Sequence, residues 1–100
     1  MGRFGAPLDE AVEVGRGIAA AKSEGGSGGL KLEGVYTHFS VADDDELLPF
    51  TRQQVARLDD TVASLRSAGV EVPMVHCANS AACMRGPEFH RDMVRMGISL

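Results

Sequence analysis

The chain has 100 residues, of which 44% are hydrophobic and 24% charged, with 12 glycines and 4 prolines, which is ordinary globular composition and excludes a collagen-like or disordered chain. Its net charge of −4 and isoelectric point near 5.2 leave no basic surface for non-specific nucleic-acid binding. Its apolar runs fall far short of the roughly 20 residues a membrane span needs.

Residues 8–23 predict a helix. Leu8, Ala11, Val12, Gly15, Ile18 and Ala19 repeat at the three-four spacing of one helical face. Pro7 stands just before it, where a missing N–H costs nothing. Asp9 and Glu10 suit the positive end of its dipole and Lys22 the negative end. Residues 1–10 hold Arg3, Asp9 and Glu10 but no apolar core, so no secretory leader is expected there.

The Gly-rich stretch at 25–29 reads as a solvated connector. A phosphate loop would follow a strand and open a helix, and this stretch does the reverse. Residues 30–37 predict a strand, with Leu30, Leu32, Gly34, Tyr36 and His38 on one face by period two. The acidic residues of the 40–46 loop lack the alternating spacing and distal glutamate of a calcium site, so they read as a solvated loop.

A second helix is predicted over 47–68. Pro49 fits its first turn, Val55, Leu58, Val62 and Leu65 mark its apolar face, and Gly69 is a typical stop. Residues 72–77 predict a second strand. Asn79 and Ser80 are preferred cap types for a short helix to about Arg85, which Gly86-Pro87 then breaks. A third strand is expected to begin in 93–100.

Helices alternating with strands imply a parallel sheet with helical crossovers. Three strands cannot close a barrel and leave two unpaired edges, so a larger assembly is expected. In such sheets the chemistry gathers at the C-terminal strand ends. Thr37-His38, His76-Cys77-Ala78-Asn79-Ser80 and Arg95-Met96-Gly97-Ile98 occupy those positions. Taken singly, a strand-end histidine is more often structural, and Asn79-Ser80 is by default a helix cap. A Cys–His nucleophile at His76 and Cys77 fails because strand neighbours point to opposite faces. Zinc at His76, Cys77, Cys83 and His90 lacks a paired short-spacing motif. Two cysteines are too few for a disulfide scaffold, and a reducing, cytoplasmic setting is expected.

Together these strings resemble the alanine racemase family, enzymes that use pyridoxal 5'-phosphate. The matching pieces are Met1-Gly2-Arg3-Phe4-Gly5, Leu32-Glu33-Gly34-Val35-Tyr36-Thr37-His38-Phe39-Ser40 with Ala42-Asp43, His76-Cys77-Ala78-Asn79-Ser80-Ala81-Ala82, and Asp92-Met93-Val94-Arg95-Met96-Gly97-Ile98. They run in order across essentially the whole chain. The resemblance implies an α/β fold: residues 1–100 as part of an N-terminal (β/α)8 TIM-barrel domain, incomplete at both ends, with about three parallel strands.

The resemblance also implies cofactor contacts. Arg3 resembles the arginine bonded to the phenolic oxygen, His38 the histidine beside the pyridine ring and linked to the arginine network, and His76 the second histidine of that network. Ser80 resembles a phosphate-contacting hydroxyl with Asn79 beside it. Arg95 resembles the arginine facing the pyridine nitrogen, and Gly97 and Ile98 resemble residues whose N–H groups hold the phosphate. Helix N-termini favour phosphate. A guanidinium that does not give up its proton would leave the pyridine nitrogen unprotonated and favour simple proton exchange.

The family's Schiff-base lysine lies upstream of the Met-Gly-Arg motif, and its opposing catalytic tyrosine lies in the partner subunit's C-terminal domain. Lys22 and Lys31 are the only lysines and Tyr36 the only tyrosine, and none matches these positions. No catalytic or metal residue is therefore assigned. The parent is expected to interconvert L- and D-alanine for cell-wall precursors as a cytoplasmic homodimer, with this chain alone inactive. A non-catalytic remnant, a phosphate-binding module, or a racemase for serine or a broader set of amino acids stand as alternatives.

Overall fold

The computed structural model describes residues 5–23 and 29–97. Three helices and three short strands follow in the order α1 (Ala11–Ser23), β1 (Val35–Tyr36), α2 (Leu48–Ser67), β2 (Val75–Ala78), α3 (Ser80–Arg85) and β3 (Met93–Val94), with a 3-10 turn at Pro87–Phe89 before β3. The strands form one parallel sheet in the order β1-β2-β3, as alternation with helices requires.

Helix α2 buries Leu58, Val62 and Leu65 of the expected stripe, with Val55 only partly buried against the core and Thr51, one turn earlier, fully buried. It ends as a Schellman motif: Gly69 takes φ +83°, its N–H donates to Arg66 O at 3.0 Å, and the Val70 N–H donates to Leu65 O at 3.0 Å. Val70 then joins Leu65 in the core. Helix α1 packs on α2 at Gly15, where any side chain would run into Leu65. A residue without a Cβ is what permits that approach.

The core lies between the sheet and α2. Phe39 and Phe89 meet edge to face at 5.8 Å, beside the buried Val75, Cys77 and Ala78 of β2. Alternation along the strands sends Tyr36 and His76 to the opposite face, where Tyr36 remains 60% exposed. The sheet is thus covered on one face, whereas parallel sheets ordinarily need cover on both.

The strands are shorter than the sequence predicts. Strand structure is confined to 35–36 within the expected 30–37, shifts to 75–78 from 72–77, and occupies only 93–94 of 93–100, of which 98–100 lie outside the described residues. Helix α1 begins three residues later than expected, after a turn closed by Glu10 N–H to Pro7 O. The 25–29 connector lies largely outside the described residues.

The entry to β3 is set by tertiary contacts. Arg91 adopts φ +46°, in the left-handed region, and its guanidinium pairs with Asp59 of α2 at 2.7 Å. Asp92 then grips Val75 at two points. Its N–H donates to Val75 O at 3.0 Å, and its carboxylate accepts the Val75 N–H at 2.7 Å. The side chain takes the place of a ladder carbonyl that the turning backbone cannot supply.

Candidate functional site

The site is built on Arg95, one residue past β3. Its backbone N–H donates to Ala78 O at 2.9 Å, seating it against the end of β2. Its guanidinium then reaches back across the sheet. Nη1 donates to His76 Nδ1 at 2.6 Å, and Nη2 meets Thr37 O and Cys77 O, both at 3.3 Å. One side chain therefore ties together the ends of all three strands.

The protonation states follow. A guanidinium has only donors, so His76 Nδ1 must accept, and the neutral imidazole carries its proton on Nε2. Burial lowers the His76 pKa below its ordinary value, and the Arg95 charge lowers it further. His76 faces Tyr36 directly across the β1–β2 ladder. Their rings stack at 4.8 Å with 4° between planes, and the Arg95 guanidinium carbon lies 5.2 Å from the Tyr36 ring centre.

A second pair lies at the α3 end. Ser80 Oγ accepts the Gly97 N–H at 2.9 Å. Among the described residues, chain neighbours aside, no atom lies within 4 Å of where a Cβ on Gly97 would stand, so contact among them does not explain the glycine. Asn79 caps α3, its Oδ1 accepting the Ala82 N–H at 3.1 Å.

His38 stands apart. It is exposed, lines a groove of about 860 Å³ between α1, β1 and α2, and has no hydrogen bond, ion pair or ring contact among the described residues. Arg3 and Ile98 lie outside those residues. The structure thus brings Arg95 to His76 and Ser80 to Gly97, but leaves His38 outside both pairs.

The remaining candidates have local partners. Cys77 is buried, and its thiol donates to Phe89 O at 3.4 Å. His90 Nε2 donates to Cys83 O at 2.9 Å. Lys31 is exposed ahead of β1, and Lys22 lies in α1, so neither sits at the C-terminal end of a strand. Arg85 pairs with Asp45 at 2.8 Å and also reaches Ala42 O, fastening the loop after β1 to α3. Tyr36 was missed as a site residue. Its place on the His38 face of β1 was readable, but its contact with Arg95 depends on sheet order.

The pairs can be tested against a phosphorylated pyridine. Ser80 and Gly97 offer an O–H and an N–H, the donors a phosphate takes, beside a backbone with open space. Arg95 offers a fixed cation for a ring nitrogen. The residues present fit the group.

The chain resembles known proteins in both sequence and fold. The family profile described as alanine racemase, N-terminal domain, matches residues 1–100. An alanine racemase of Treponema pallidum is 44% identical over 98% of this chain, and one of Symbiobacterium thermophilum is 40% identical over all of it. The chain spans 25% of the length of each. The alanine racemase of a D-cycloserine-producing Streptomyces lavendulae superimposes with a TM-score of 0.83 at 33% identity, over 98% of this chain and 25% of that one. Three parallel strands alternating with helices are the α/β arrangement expected for a segment of a (β/α)8 barrel. The chain belongs to the alanine racemase N-terminal domain family.

Proposed function

We propose that this chain forms part of the cofactor cradle of a pyridoxal 5'-phosphate-dependent alanine racemase, which interconverts L- and D-alanine. The observation that carries the reading is Arg95 joining three adjacent strand ends through His76, Thr37 and Cys77, in a chain whose relatives are alanine racemases. The cofactor, when bound, supplies an electron sink for negative charge at the substrate's α-carbon.

Arg95 would present a permanent cation to the pyridine nitrogen, which would favour that nitrogen without a proton. His76 holds Arg95 from the side as a neutral acceptor. Ser80 Oγ accepts the Gly97 N–H and keeps its own O–H free to donate; these two groups would hold the phosphate. Asn79 fixes the turn that presents Ser80. Arg3, His38 and Ile98 complete the cradle by the resemblance of their motifs.

No lysine at a strand end and no opposing tyrosine can be assigned among these residues. Racemisation needs a group to hold the substrate covalently and bases on both faces, so the 100-residue chain alone turns over neither enantiomer. The parent works as a cytoplasmic homodimer that supplies D-alanine to cell-wall precursors. Among the described residues no helix is long and apolar enough to cross a membrane.

The test compares Arg95→Glu with Arg66→Glu in the full-length racemase carrying this segment, reading the racemisation rate and cofactor content. Losing an electrostatic group at the reacting ring costs about a hundredfold or more. Arg66, in the last turn of α2, is exposed, and among the described residues its side chain donates only to Val72 O, so its variant stays within about threefold. Equal losses would refute the assignment.

A further inference from the structure

Tyr36 is the sole tyrosine of the chain, and it keeps 60% of its surface exposed on β1, where the preceding Val35 packs against the core. An aromatic ring left on an open face, touching two polar side chains, calls for an account. The ladder supplies one. Tyr36 and His76 are register partners in parallel strands, which run about 4.8 Å apart. Their rings are 4.8 Å apart and within 4° of parallel. The stack therefore follows directly from the register.

The third member comes from β3. The Arg95 guanidinium carbon lies 5.2 Å from the Tyr36 ring centre, inside the roughly 6 Å over which an aromatic face attracts a cation. The same guanidinium donates to His76 at 2.6 Å. Its two carbonyl contacts are longer, at 3.3 Å each, and define its plane only loosely. The ring touches both partners of the short bond at once, and no other aromatic ring contacts either of them among the described residues.

We propose that Tyr36 is a positioning residue for Arg95: its ring, stacked on His76 and facing the guanidinium, sets where the cation stands at the strand ends. The effect is carried by the π face and not by the phenolic hydroxyl. This deepens the reading of Arg95 as the cation at the cofactor ring, and rests on it for its consequence in catalysis. Its structural part, that the ring holds the Arg95–His76 pair, stands independently.

The experiment uses Tyr36→Phe and Tyr36→Leu in the full-length racemase carrying this segment, with thermal melting to check the fold. Steady-state kinetics and the NMR titration of the His76 ring are read together. Tyr36→Phe keeps kcat within about twofold and leaves the His76 midpoint in place. Tyr36→Leu lowers kcat about tenfold, as loss of precise placement does, while KM for alanine stays within about twofold. Removing the ring admits water to His76 and frees Arg95, so both causes of its lowered pKa weaken and its midpoint rises toward 6.5. An unmoved His76 midpoint in Tyr36→Leu overturns the proposal. So does a Tyr36→Phe variant as impaired as Tyr36→Leu, because the hydroxyl would then carry the effect. If Arg95→Ala leaves racemisation intact, the cofactor reading fails, and the His76 midpoint still decides whether Tyr36 holds the pair.

Discussion

Replacing Asp92 with alanine removes one carboxylate and strands one donor. The Val75 N–H now donates to Asp92 Oδ2 at 2.7 Å, a short charge-assisted bond. Val75 is only 7% exposed, so its N–H gains little from water once the carboxylate is gone. An unsatisfied buried donor costs about 1–3 kcal/mol. The exposed flank of Asp92 admits some solvent, which places the expected loss at about 1–2 kcal/mol. For a chain of this length, each kcal/mol lowers Tm by about 4–8 °C, so a fall of about 4–16 °C is expected. Urea unfolding should show a lower midpoint with an unchanged slope, as befits a change in stability alone. Asp92→Asn keeps an acceptor oxygen and should lose less than half as much. The second reading is local: amide exchange at Val75 should accelerate, while amides in the middle of α2 follow only the global change. Because Asp92 grips the entry to β3 three residues before Arg95, the Arg95–His76 bond should loosen as well. An Asp92→Ala chain as stable as the wild type, with Val75 still protected, would refute the view that this side chain completes the ladder.

Further outcomes follow from the same contacts. Asn79→Ala removes the cap bond to the Ala82 N–H and should cost about 1 kcal/mol in urea unfolding, with Asn79→Asp largely restoring it. His76 has a depressed pKa in the fold, so the unfolded chain binds more protons near and below pH 6.5, and stability should fall as pH drops through that window. His76→Gln should flatten that dependence, as melting curves across pH 5–8 would show. Burial raises the Cys77 thiol pKa above its ordinary value, outweighing the opposing pull of Arg91 and Arg95. Alkylation at neutral pH should therefore label Cys83 well before Cys77. Equal labelling rates without unfolding would contradict that burial.

What the sequence determines by itself is whatever neighbours along the chain enforce. The three-four spacing of Val55, Leu58, Val62 and Leu65 marks α2, because residues one turn apart share a face whatever surrounds them. Gly69 stops that helix and Asn79 caps the next for similarly local reasons. The alternation of elements was enough to imply parallel strands. Tertiary structure decided the rest. A strand exists only where a partner closes its ladder, which is why β1 shrinks to Val35–Tyr36 within the longer alternating stretch at 30–37. Arg95 meets His76 across 19 residues and Thr37 across 58, and Ser80 meets Gly97 across 17. Those meetings depend on strand order and on a register that Asp92 and the left-handed Arg91 help to set. The placement of Tyr36 against Arg95, and of His38 away from it, is likewise decided by the folded sheet, because contacts between distant residues carry no period that the sequence alone displays.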